Sequence, residues 1–211
     1  MRKIIITIVS VIGLLLPLMW EAQGTLYVSN LGQTPTGSAS IGSDAWVAQD
    51  FFTGTNASGY ILNSVQLLMD TASGSPSGFD VSLYSSLRGE PNDLGNLVGS
   101  DPSAGGIFTY TDSGLTLSPS TDYFIVLTAT TPVAQGAYNW STVSASSTIG
   151  GEEWMIIPDI YSSGNGLSWQ ISRQYTFQIG IYATAVPEPS SSLLLLLGSG
   201  VFIYVRRAFR R

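Results

Sequence analysis

Tyr175-Thr176-Phe177-Gln178-Ile179-Gly180-Ile181-Tyr182-Ala183 alternates in character residue by residue. Side chains along an extended chain point to opposite faces in turn, so Tyr175, Phe177, Ile179, Ile181 and Ala183 share one face. Thr176, Gln178, Gly180 and Tyr182 share the other. A helix would scatter the apolar set around its axis, whereas a strand gathers it, so the stretch reads as one half-buried strand.

Moving outward, the same period of two recurs in Val65, Leu67 and Met69, in Phe79, Val81 and Leu83, in Phe108 and Tyr110, and in Tyr123, Ile125 and Leu127. Turn clusters stand between these runs, among them Ser73-Gly74-Ser75-Pro76-Ser77-Gly78 and Asp101-Pro102-Ser103-Ala104-Gly105-Gly106. Closely spaced short strands without an amphipathic helix predict an all-β domain, an antiparallel β-sandwich of jelly-roll-like form, over residues 25–184. Within it, Leu117, Pro119 and Tyr123 are spaced as in a tyrosine corner, where the phenol bonds back to upstream backbone as the chain crosses between sheets.

Both ends of the chain differ from this body. Arg2 and Lys3 precede an apolar run, Ile4 to Leu16, and Ala22-Gln23-Gly24 offers small residues for a cut, so 1–24 reads as a secretory signal peptide. At the other end, Pro187-Glu188-Pro189 leads through Ser190 to Ser192 into an apolar run, Leu193 to Val205, closed by Arg206, Arg207, Arg210 and Arg211. The prolines hold Val186 and Glu188 extended and withhold their own ladder hydrogen bonds, which leaves an accessible strip for an endopeptidase. The following helix is expected to reach only about 20 Å, against a hydrocarbon core of about 30 Å, so it suits a temporary membrane anchor with the arginines as its stop. Six of the eight basic residues sit at the two ends, which places both ends at the cytoplasmic side at first and the body outside.

Pro-Glu-Pro, a brief apolar helix and a terminal arginine cluster, in that order, resemble the PEP-CTERM sorting signal of Gram-negative bacteria, here 185–211. The resemblance implies recognition and cutting by an exosortase, a membrane-embedded protease-transpeptidase. It further implies a passing inner-membrane intermediate, then delivery to the envelope, cell surface or extracellular matrix, in a setting of exopolysaccharide and biofilm formation. A second, diffuse resemblance runs over about residues 25–140. Leu26 to Leu31, Trp46 to Phe51, Tyr60 to Leu67, Val81 to Ser85 and Leu117 to Thr121 look like the bacterial extracellular domain called choice-of-anchor R. That family brings no catalytic residues to this sequence.

Composition narrows the chemistry. The chain has neither cysteine nor histidine, which excludes disulfides, thiol chemistry, Ser-His-Asp catalysis and zinc sites built on those ligands. Of fourteen acids only Glu21 and Glu188 lie outside 25–186, leaving twelve against Arg88 and Arg173, a net charge of -10 that should repel nucleic acid. Carboxylates remain as possible catalysts, with Glu152-Glu153 the tempting pair; on a strand the two would face opposite ways. Asp70, Asp80, Asp93, Asp101 and Asp112 lie near glycine-rich turns without a dense calcium loop, and no cofactor or metal site is expected. Asn56-Ala57-Ser58 and Asn139-Trp140-Ser141 fit the glycosylation sequon, with little meaning in a bacterium. Trp46 is expected in the core. Trp140, Trp154, Tyr161 and Trp169 are the candidates for stacking on a sugar ring. The expectation is therefore a non-enzymatic exported surface protein, with a carbohydrate-binding module as the alternative.

Overall fold

A computed structural model of the chain describes residues 24–112, 114–144 and 148–188. Within them the chain forms β1 (Thr25–Ser29), β2 (Gly37–Ile41), β3 (Trp46–Phe52), β4 (Tyr60–Gly74), β5 (Asp80–Ser86), β6 (Asn92–Leu97), β7 (Gly106–Thr111) and β8 (Thr116–Leu117). It continues through β9 (Asp122–Thr128), β10 (Gly136–Ser144), β11 (Thr148–Ile149), β12 (Met155–Ser163), β13 (Gln170–Ser172), β14 (Tyr175–Phe177) and β15 (Ile179–Ala185). Among the described residues the sole helical element is the 3-10 turn Gly151–Glu153. The domain is all-β, as its alternation predicts. No described helix is long and apolar enough to cross a membrane; the signal segment, the anchor run from Leu193 to Val205 and the arginine stop lie outside the described residues.

The strands pair antiparallel in two sheets. The first runs β1-β15-β4-β10-β14, with β2 on β10 and β7 and β8 on β4; the second runs β11-β12-β3-β9-β5-β6, with β13 on β12. One core joins them: Leu62, Val65, Leu67, Trp140, Phe177, Ile179 and Ile181 from the first sheet meet Phe51, Leu83, Ile125, Leu127 and Ile156 from the second. Each such side chain stabilises the fold by about 1.5–3 kcal/mol when fully buried. Every alternating set singled out in the sequence contributes to this core or packs against it.

The opening stretch is divided where a single strand was expected. β14 pairs with β10, β15 pairs with β1 and β4, and Gln178 falls between them. Its carbonyl accepts from the Trp140 indole at 2.9 Å and from the Leu68 amide at 3.2 Å, while its side chain donates to the Gln33 carbonyl at 2.8 Å. Asn30 closes the break from the other side, donating to Phe177 O at 2.9 Å and accepting from the Ile179 amide at 2.7 Å. The turn after β1 thus covers the supposedly polar face, and Thr176 and Gln178 are fully buried. Tyr175, assigned to the buried face, is 44% exposed because β14 begins at the margin of the sheet.

Two further polar devices hold the sheets. Pro158 interrupts β12, and the pairing with β3 jumps from Ile156↔Phe51 to Ile160↔Gln49, a bulge that relieves the missing N–H. Gln49 fills it, donating to Ile157 O at 2.6 Å and accepting from the Phe177 amide of the first sheet at 2.8 Å. The tyrosine corner is present as expected: the Ser118 amide donates to Tyr123 Oη at 2.8 Å.

Candidate functional site: the carboxyl-terminal exit

β15 is the last strand, and its ending sets where the folded domain gives way to the tail. Its ladder with β4 finishes at Ala185↔Tyr60. One residue later the Val186 amide donates to Gly59 O at 3.0 Å, and the Val186 carbonyl accepts from Asn56 Nδ2 at 3.0 Å. β4 begins at Tyr60, so the ladder has no further partner there, and Pro187 has no amide hydrogen to offer a strand on its other side. Pro187 and Glu188 are both exposed. Pro189, Arg206, Arg207, Arg210 and Arg211 lie outside the described residues.

The turn that receives Val186 is built by Asn56 and Gly59. Asn56 Oδ1 accepts from the Ser58 amide at 3.3 Å, its Nδ2 also donates to Gly59 O at 2.9 Å, and the Gly59 amide returns to Asn56 O at 2.8 Å. This is the local turn that Asn favours. Gly59 has φ 76°, and a Cβ there would lie 2.5 Å from Leu117 O, so only glycine fits without strain. The Asn56 amide donates to Tyr60 Oη at 3.1 Å, and the buried Tyr60 hydroxyl donates to Glu152 Oε2 at 3.2 Å. Glu152 and Glu153 occupy the 3-10 turn with φ 54° and 64°, exposed on a turn rather than set along a strand. With Glu188, Asn56, Thr55 and Ala185 they line an open concavity of ≈ 560 Å³ at the exit. By sequence Asn56 reads only as part of a sequon; the Asn-x-x-Gly turn signal immediately before an apolar strand is the clue to its role.

The aromatic candidates are placed differently from expectation. Trp140 and Trp154 are fully buried, and Tyr161 is 5% exposed, so none presents a free ring face to a sugar. Trp140 stacks on Phe177 at 4.1 Å, and Trp154 lies against Tyr27, Phe51 and Tyr60. Both rings belong to the core cluster, where large aromatic side chains bury much apolar area. Trp169 is half-buried, and so is Trp46, which was expected in the core. These two pack on the outer face of the second sheet with Ala48, Leu87, Val126 and Tyr161, a satellite cluster separate from the core.

That outer face also carries a concavity of ≈ 320 Å³ lined in part by Asp50, Asp122, Arg88, Phe124 and Tyr161. Asp50 is 4% exposed; burial, with Asp159 and then Asp122 nearby, pushes its carboxyl up to about 8, so it is mostly protonated at neutral pH. Burial also raises Asp122, and burial followed by the charges of Asp50 and Asp159 pushes Tyr161 up to about 12. The turn aspartates act as local acceptors: Asp112 takes the Gly114 and Leu115 amides, Asp93 takes Gly95, and Asp101 takes the Tyr138 hydroxyl. Among the described residues no three acidic side chains converge as a metal site.

Fold and exit together define a two-sheet antiparallel domain whose last strand leads directly into the exposed Pro187 and Glu188. Residues 185–211 match the PEP-CTERM protein-sorting motif, so the chain carries that signal at its carboxyl end. The motif implies an exported protein that passes through the membrane to the cell surface and is processed by an exosortase. No curated protein and no solved structure matches the chain.

Proposed function

We propose that this is a non-enzymatic cargo protein: an exported β-sandwich, held for a time in the inner membrane of a Gram-negative bacterium, then cut within its sorting signal and released to the envelope or extracellular matrix. The observation that carries the reading is the coincidence of the motif, residues 185–211, with a strip that leaves the folded domain at Val186 and is exposed at Pro187 and Glu188. Export by the 1–24 signal peptide is consistent with Arg2, Lys3 and the apolar run that follows. The net charge of -10 over 25–186 suits a soluble, mutually repelling cargo outside the cell, and exopolysaccharide and biofilm are its proposed setting. The body of this cargo is of the choice-of-anchor R type, a reading supported by Leu26 to Leu31, Trp46 to Phe51, Tyr60 to Leu67, Val81 to Ser85 and Leu117 to Thr121. The test is the intact mass of the protein recovered from the cell surface. A chain ending before Leu193 is expected; a surface form that retains Arg206 to Arg211 would overturn the reading.

A further inference from the structure

We propose that Asn56 is a positioning residue for the processing reaction: its side-chain amide fixes where the sheet ends and the cleavable strip begins. The inference rests on the exosortase reading and adds a residue 130 positions upstream of Val186, in a turn that the sorting motif does not include.

A protease takes an extended substrate by pairing with its backbone, so a residue whose amide and carbonyl are both engaged is withheld from it. Val186 is such a residue, with its N–H on Gly59 O and its C=O on Asn56 Nδ2, each at 3.0 Å. The Asn56 amide has two hydrogens and uses both, one on Val186 O and one on Gly59 O at 2.9 Å. Its backbone is tied to Tyr60 Oη, which is fixed in the core and bonded onward to Glu152. The holding point therefore moves with the folded domain and not with the tail. Pro187, which follows, has no amide hydrogen to offer a neighbouring strand.

Pro187 and Glu188, the residues that follow, are exposed and so open to a protease. From Pro187 to the apolar run at Leu193 the chain has only residues 187–192, at most about 20 Å when fully extended. Glu188 shares its concavity with Glu152 and Glu153, and like charges disfavour the strip lying back on the domain. Cleavage is thereby confined between a fixed residue and the membrane, and the product should have one carboxyl terminus.

Asn56→Asp and Asn56→Ala separate the turn from the hold. Asp keeps an oxygen for the Ser58 amide and loses the donor; Ala loses both, and if it melts below growth temperature the Asp variant carries the comparison. Full-length wild type and variants are produced in cells carrying an exosortase, and the intact mass of the processed form is read. A single terminus within 187–192 is expected for wild type, with ragged termini reaching 184–186, or at least a threefold change in processing rate, for Asn56→Asp. Identical termini and rates within twofold in both variants would overturn the inference. The purified unprocessed chain in detergent, treated with a broad-specificity endoprotease, gives a readout that needs no exosortase. Cuts should begin at 187 in wild type and reach further into β15 in Asn56→Asp, and an unchanged boundary overturns the hold. Wild type left uncut in cells while this boundary shifts would instead sink the exosortase reading and leave the hold in place.

Discussion

Tyr123 and Asp50 show how much a single polar atom decides here. The Tyr123 hydroxyl is the acceptor for the Ser118 amide at the corner between β8 and β9, and the ring is 4% exposed. Tyr123→Phe keeps the ring and strands the amide, so a loss of about 1–3 kcal/mol is expected in urea unfolding. A loss below a few tenths would mean that water replaces the phenol. Asp50 acts through pH. Its folded value of about 8 lies above the roughly 3.9 of an unfolded aspartate, so the folded state holds the extra proton between them. The resulting stability is fully present below about pH 4 and is lost as pH rises through about 8; Asp122 is shifted in the same direction. The urea midpoint should therefore be higher at about pH 5 than at about pH 8.5, and Asp50→Asn should flatten that slope. A variant with the wild-type slope would remove Asp50 as its source.

At the scale of elements, the decisive features are places where strands stop. β12 is carried past Pro158 by a bulge whose carbonyls Gln49 satisfies, and β14 is parted from β15 at Gln178, where Asn30 supplies the missing partners. None of these buried amides announces itself in an alternating pattern, because a glutamine at a core position reads as an error of period until its partner carbonyls are known. The Asn56–Gly59 turn is of the same kind. Gly59→Ala puts a side chain against Leu117 O at φ 76° and should cost about 1–3 kcal/mol. It should also weaken the hold on Val186, read as faster amide exchange in the peptide ending β15. Unchanged exchange there would mean that Gly59 serves only the turn.

For the whole molecule, the two sheets bury Trp140 and Trp154 between them, and those rings hold the fold together. Trp154→Ala should cost about 3–5 kcal/mol and lower the melting temperature, while Trp169→Ala, on the outer face, should cost clearly less. Glycan binding lost on Trp154→Ala with unchanged stability would contradict that placement. The all-strand body, its alternating core positions, the tyrosine corner, the acidic charge and the sorting signal are all legible in the order of residues. Each of these comes from local period, spacing or count. Which face of each strand is covered, which tryptophans lie between the sheets, where the long last strand breaks and how Asn56 meets Val186 emerge only once the chain is folded. Those contacts join residues more than a hundred positions apart, and burial is a property of what packs on a face, which no single segment encodes.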